Sequence, residues 1–262
     1  MESVWFWMGV TLAALAAVYY LPMLLYARFK LTNPIYPRVE RFPVDHPKLT
    51  DDWQEYLREV IAHFERLDFK LIESMAHEHV MPDWTMVVVL FANRPQREIA
   101  TATITLLRGP LARSLMPHLE FTTRYRDGSE VRTSNPTRSG AFTDAPNQRT
   151  ISFNIHRPAE LLALHRMICE DLQRDAARAM PLDERFQGDV LRFLTEWLSR
   201  DCEAELSTGR MARDEHKGVY RYTWKGAFGL IFRFMFPFRW LTRMKQRRAA
   251  RQYENRSERG DY

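Results

Sequence analysis

The run Glu120-Phe-Thr-Thr-Arg-Tyr-Arg-Asp127-Gly128-Ser-Glu-Val-Arg-Thr133 reads as two β-strands joined at an Asp-Gly turn. Loop length fixes its register. A two-residue loop would set Arg124 against Val131 and Tyr125 against Glu130, mixing charged and apolar side chains on each face. A three-residue loop with Gly128 in a left-handed bulge instead pairs Arg124 with Glu130 and Thr123 with Val131, and that register is expected.

Working outward, segments rich in Val, Ile, Thr, Phe and Tyr near 69–76, 85–92, 97–107, 118–126, 129–135 and 149–156 read as strands. Their short connections favour antiparallel pairing. Before them, Thr50-Asp51-Asp52 supplies an N-cap and an acidic first turn, and Trp53, Leu57, Val60, Phe64 and Leu67 recur at helical spacing, predicting a helix over 51–66. After them, Pro158 opens a helix with Leu161, Leu164, Ile168 and Leu172 on one face, and a second helix over 183–204 carries Phe186, Val190, Phe193 and Trp197. Leu191, Leu194, Leu198 and Cys202 widen the apolar face of the second helix enough for it to lie between two layers. The expected fold class is α+β, an antiparallel sheet of about six strands covered by long helices, over residues 51–223. Ser207 to Lys217 reads as a polar loop.

Residues 1–30 read differently. Ser3 to Ala27 is a run without a charge, longer than the roughly 20 residues a helix needs to cross a hydrocarbon core of about 30 Å. Trp5 and Trp7 at one end and Tyr19, Tyr20 and Tyr26 towards the other resemble interfacial aromatic belts, and Pro22 falls near the end of the run. A cleavable signal peptide is disfavoured because Glu2 is the only charged side chain before the run. Arg28, Lys30, Arg38 and Arg41 follow it, which places the body of the chain in the cytoplasm of a single-pass membrane protein. Residues 31–50, with Pro34, Pro37, Pro43 and Pro47, read as an extended linker after which folding begins.

The chain carries +5, with 38 basic against 33 acidic residues, but the excess is local. Between Trp224 and Arg251 stand eight basic residues and no acidic one, leaving −3 for the rest. Residues 224–262 read as a basic, aromatic interfacial segment and tail: Lys225, Arg233, Arg239, Arg243, Arg247 and Arg251 fall on one side of an idealised helix, among Phe228, Phe232, Phe236 and Trp240. Pro237 breaks the segment in two. The competing reading packs Phe228, Ile231 and Phe234 into the domain with Arg233 snorkelling. Nucleic-acid binding is not expected, because the aromatics come with long aliphatic residues and form no stacking platform.

Catalytic signals are weak. His77-x-His79 with Asp83 has metal-like chemistry but lacks a third ligand fixed by sequence, and a strand end or turn is the simpler reading. His156 and His165 could meet Asp144 or Glu170 as a general base, yet a histidine on a partly apolar helix is more often packed. Ser134, Ser139 and Cys169 lie in no nucleophile motif, and Thr133-Ser134-Asn135-Pro136 reads as turn chemistry. Cys169 and Cys202 suggest neither a disulfide framework nor a metal site. No cofactor motif is present. The expectation is a membrane-anchored, non-catalytic binding or organising module whose partners are anionic lipids. The alternative is a lipid-binding or lipid-modifying protein with an apolar pocket between the sheet and the helices near 158–178 and 183–204.

Overall fold

The structure, a computed structural model, describes residues 2–78, 84–107, 118–135, 147–172, 178–186, 189–234 and 238–259. Several side chains within the first and last helices lie outside that set. The chain runs α1 (Glu2–Phe29), β1 (Thr32–Pro34), β2 (Val39–Arg41), α2 (Asp51–Glu65), β3 (Lys70–Glu78), β4 (Trp84–Asn93), β5 (Glu98–Leu107), β6 (His118–Arg124), β7 (Glu130–Ser134) and β8 (Gln148–Ser152). It continues through α3 (Pro158–Asp171), α4 (Leu182–Phe186), α5 (Val190–Ser207), β9 (Met211–Asp214), β10 (Val219–Tyr222), α6 (Trp224–Phe234) and α7 (Phe238–Arg259). The architecture is α+β, as the strand and helix patterns imply.

The main sheet has the order β2-β3-β4-β5-β6-β7-β8. Its β6–β7 hairpin adopts the expected register, Thr123 opposite Val131 and Arg124 opposite Glu130, with Gly128 at φ +81°. Antiparallel pairing holds from β2 to β7 and then fails, since β8 lies parallel to β7. Strand propensity reports which residues suit a pleated surface, not which way the chain enters it.

The two faces of this sheet differ. One packs against α2 and α3 and is filled by aromatic rings: Phe64 stacks on Phe91 at 4.4 Å, and Phe69 and Phe121 close around them at 5.6–5.8 Å. The spacing read for α2 and α3 delivers Leu57, Val60 and Phe64 and Leu161, Leu164 and Ile168 to that face. Met75, Val88, Leu90 and Ile99 line the opposite face and pack against Leu182, Phe186, Phe193 and Leu194 of α4 and α5. Since α3 and α5 have the sheet between them, they cannot line one pocket together.

The helix predicted over 183–204 is two helices. Phe186 lies in α4, and α5 starts afresh at Asp189, whose side chain accepts a hydrogen bond from the Arg192 N–H at 3.0 Å. The width read into the second helix is real: Phe193 and Leu194 face the main sheet, whereas Cys202 and Leu206 join a separate core. That second core lies on a three-stranded antiparallel sheet, β1-β10-β9, which the sequence reading missed. Met211 to Asp214, assigned above to a polar loop, is one of its strands.

Two short strands lie in the proline-rich segment 31–50, β1 in the small sheet and β2 beside β3 in the large one, and turns follow at Pro43–His46 and His46–Leu49. Folding therefore begins before residue 51. At the other end, α7 returns to the main body, where Ala250 and Tyr253 are buried in the aromatic core and Arg256 pairs with Asp171. This half of the C-terminal segment is no free tail. Among the described residues, which leave out several apolar side chains of α1, no helix is long and apolar enough to cross a membrane.

Candidate functional site

The end of α1 and the whole of α6 form one unit on the small sheet. Leu24 and Ala27 of α1 and Ala227, Leu230 and Ile231 of α6 bury their side chains together with Tyr220 and Tyr222. Thr223 begins α6 as an N-cap: its Oγ1 accepts from the Gly226 N–H at 3.1 Å and donates to the carbonyls of Gly209 and Arg210. Gly226 allows the close approach, because a Cβ there would lie 1.9 Å from the Arg210 carbonyl oxygen.

With those residues turned inward, the helical period turns others out. Trp224, Phe228 and Phe232 of α6 and Tyr26 and Phe29 of α1 are exposed, Phe228 at 59%. Phe29 and Trp224 meet edge to face at 5.7 Å, so the two exposed faces join. Basic groups border the seam: the Arg28 guanidinium lies over the Phe29 and Trp224 rings, Lys30 is exposed, and Lys225 Nζ donates to the Thr208 carbonyl at 2.8 Å. Further along α1, Trp5, Trp7 and Tyr19 are exposed and Tyr20 is half-buried against the small core.

The expected contact set therefore divides. Arg28, Lys30, Lys225, Phe228 and Phe232 lie together, while Trp240, exposed near the start of α7, belongs to the next helix. Phe236 lies outside the described residues, as do the side chains of Arg233, Arg239 and Arg243. Helix α6 ends at Phe234 and α7 begins at Phe238, with residues 235–237 outside the described set. Of the competing packing, Ile231 is buried, Phe228 is exposed, and the side chain of Phe234 lies outside the described set.

Of the groups considered for chemistry, His77, His165 and Cys169 are buried, whereas His156 and Glu170 are exposed. His165 is fully buried, with Thr123 Oγ1 2.9 Å from Nε2 and Thr133 Oγ1 2.9 Å from Nδ1. Burial and the Arg166 charge push its imidazole down to about 3, so it is neutral and enclosed. Burial also drives the Cys169 thiol up to about 11 and the Cys202 thiol to about 12, which withholds the nucleophilic thiolate from both. His77 is buried, its Nδ1 3.1 Å from the Arg38 carbonyl oxygen; His79, Asp83, Ser139 and Asp144 lie outside the described residues. Asn135 closes the end of the hairpin through the Leu119 N–H, 2.6 Å from its Oδ1. Among the described residues no group of His, Cys, Asp and Glu side chains suits a metal ion.

A charge network under α4 and α5 went unread in the sequence. Glu120, Glu130 and Arg132 project from β6 and β7 on the face opposite the aromatic core, where Arg185 of α4 and Arg200 and Asp201 of α5 meet them. Arg132 Nε lies 2.6 Å from one Glu130 oxygen, Arg200 Nη1 2.9 Å from the other, and Arg185 Nη2 3.6 Å away. Burial alone would raise the Glu130 carboxyl, but Arg132, Arg185 and Arg200 hold it below the usual carboxylate range. Glu120, likewise buried, is held low by His118 and Arg132. Asp201 goes the other way, pushed up to about 6 by burial and by Glu120 and Glu130 in spite of Arg132 and Arg200. The strands carry charged or hydroxyl side chains at alternate positions, Glu120, Thr122, Arg124 and Glu130, Arg132, Ser134, a pattern that normally marks a solvent-facing side.

Compared with protein-family models, with curated proteins and with solved structures, the chain has no match.

Proposed function

We propose that the chain is a non-catalytic binding module seated on the cytoplasmic side of a bilayer, with α1 inserted as its anchor and α6 lying in the interface beside it. The observation that carries this reading is the joined apolar surface of Tyr26, Phe29, Trp224, Phe228 and Phe232 bordered by Arg28, Lys30 and Lys225. Aromatic side chains ringed by basic ones suit the boundary between acyl chains and anionic headgroups. Burying a phenylalanine fully is worth about 1.5–3 kcal/mol, and each basic side chain near an anionic surface adds about 1 kcal/mol. Support for inserting α1 comes from the uncharged run Ser3 to Ala27, and for orientation from the basic residues that follow it.

Deleting the first 30 residues would be a poor test, since Leu24 and Ala27 belong to the core under α6. The full chain should instead be reconstituted into phosphatidylcholine/phosphatidylserine vesicles containing a lipid with a photoreactive acyl chain. After irradiation, peptides covering both α1 and residues 224–232 should carry the lipid adduct. Labelling confined to α1 would remove α6 from the interface, and labelling of neither would overturn the membrane reading. Protease digestion of the body only from the compartment opposite the cytoplasm would reverse the orientation.

A further inference from the structure

The sheet face beneath α4 and α5 holds more guanidinium than its carboxylates satisfy. Glu120, Glu130 and Asp201 meet Arg132, Arg185 and Arg200, with Arg124 near enough to bear on both Arg185 and Arg200. Three guanidinium nitrogens in this cluster, Arg132 Nη2 and Arg185 Nε and Nη1, are buried with no hydrogen-bond partner, as is His118 Nδ1. The two side chains are only 6% and 2% exposed, and both guanidinium groups flank Glu130. An unmet buried donor costs about 1–3 kcal/mol, more when charged, and the Trp197 and Phe193 rings under Arg132 and Arg185 meet only the faces of these guanidinium groups, so their orphan N–H groups call for an acceptor.

We propose that this face binds a phosphate group, received by Arg132 and Arg185 with Arg200 at the entrance. Phosphate matches the arrangement better than a carboxylate: it offers more acceptor oxygens and up to two negative charges to a planar guanidinium fork. Glu130 positions the forks and leaves part of each unsatisfied. The Arg200 and Asp201 side chains, 29% and 31% exposed, mark the edge through which a ligand reaches them. The site is separate from the α1–α6 surface and does not depend on the membrane reading.

The full chain, in detergent and dialysed free of phosphate, should bind inorganic phosphate saturably at one site by titration calorimetry at pH 7.5. Arg200→Gln, at a partly exposed position, should weaken binding about ten-fold, the equivalent of about 1.4 kcal/mol. Arg185→Gln should abolish binding while circular dichroism reports the fold intact; if that variant does not fold, Arg200→Gln decides. Two sources of the group are separated by comparing glycerol phosphate with vesicles containing phosphatidic acid. Tighter binding of the vesicles, lost in Arg200→Gln, assigns a lipid headgroup, and equal or tighter binding of the free ester assigns a soluble ligand. Absence of binding to phosphate, ester and vesicle by the folded wild-type chain overturns the site, as does binding that Arg200→Gln leaves unchanged.

Discussion

Phe29 of α1 and Trp224 of α6 meet edge to face with ring centroids 5.7 Å apart, and the Arg28 guanidinium lies 5.6 Å from the Trp224 ring. The pair joins α1 to α6 across more than 190 residues of sequence. Aromatic pairs of this geometry are worth about 0.5–1.5 kcal/mol beyond their buried area. A double-mutant cycle of Phe29→Ala and Trp224→Ala, read by denaturant unfolding in detergent, should give a coupling in that range. Strictly additive effects would mean that α1 and α6 are held only by Leu24, Ala27 and their buried neighbours.

Two glycines of α6 should respond oppositely to alanine. At Gly226 the new Cβ would lie 1.9 Å from the Arg210 carbonyl oxygen, which is itself fixed by the Thr223 N–H and hydroxyl. Backbone must move, and Gly226→Ala should destabilise by about 1–3 kcal/mol. Nothing lies within 4 Å of a Cβ at Gly229, so Gly229→Ala should stabilise by about 0.5–1 kcal/mol through helix propensity. Thermal melts of the two variants with opposite signs would meet the expectation; a stable Gly226→Ala would contradict the close approach of α6 to Arg210, just before β9.

These two helices also mark where sequence reading succeeded and where it stopped. Helix and hairpin positions followed from periodicity and turn chemistry, since Phe64, Ile168 and Gly128 satisfy local rules wherever the fold places them. The direction of β8 did not, because strand propensity is the same whichever way the chain enters the sheet. The small sheet was obscured by the charges of Met211 to Asp214, although Tyr220 and Tyr222, alternating with half-buried neighbours after Gly218, carried a period-two signal. The charge network was illegible for a different reason: Glu130 and Arg132 look like solvent-facing residues until Arg185 and Arg200 arrive from elements some 50 to 70 positions away.

Within that network the two signs of charge should not be equivalent. Glu130 is contacted by three guanidinium groups, so Glu130→Gln would strand positive charge in a buried setting and should cost about 3–5 kcal/mol. Arg185→Met removes an arginine whose Nε and Nη1 lack partners and leaves Glu130 with Arg132 and Arg200, so it should lie within about 1 kcal/mol of wild type in phosphate-free buffer. Urea denaturation of both variants tests the asymmetry. Equal losses would mean that Arg185 contributes as much as the carboxylate it adjoins.

Stability against pH should expose His165. Its folded-state value of about 3 is below the ordinary 6.5, so the unfolded chain binds the extra proton, and the histidine's contribution, complete above pH 6.5, is lost as pH falls. The slope attributable to this residue is at most about 1.4 kcal/mol per pH unit. Asp201 opposes it: a carboxyl raised from 3.8 to about 6 favours the folded state more strongly as pH drops through that interval. Glu120 and Glu130, both held low, add losses only as their unfolded-state range is entered, so the informative window is pH 4.5 to 6.5. Across it, wild type should lose stability on acidification, whereas His165→Gln, less stable at pH 7, should stay level or gain through Asp201. Parallel curves for the two proteins in urea titrations would show that the Thr123–His165–Thr133 bridge accommodates a charged imidazole.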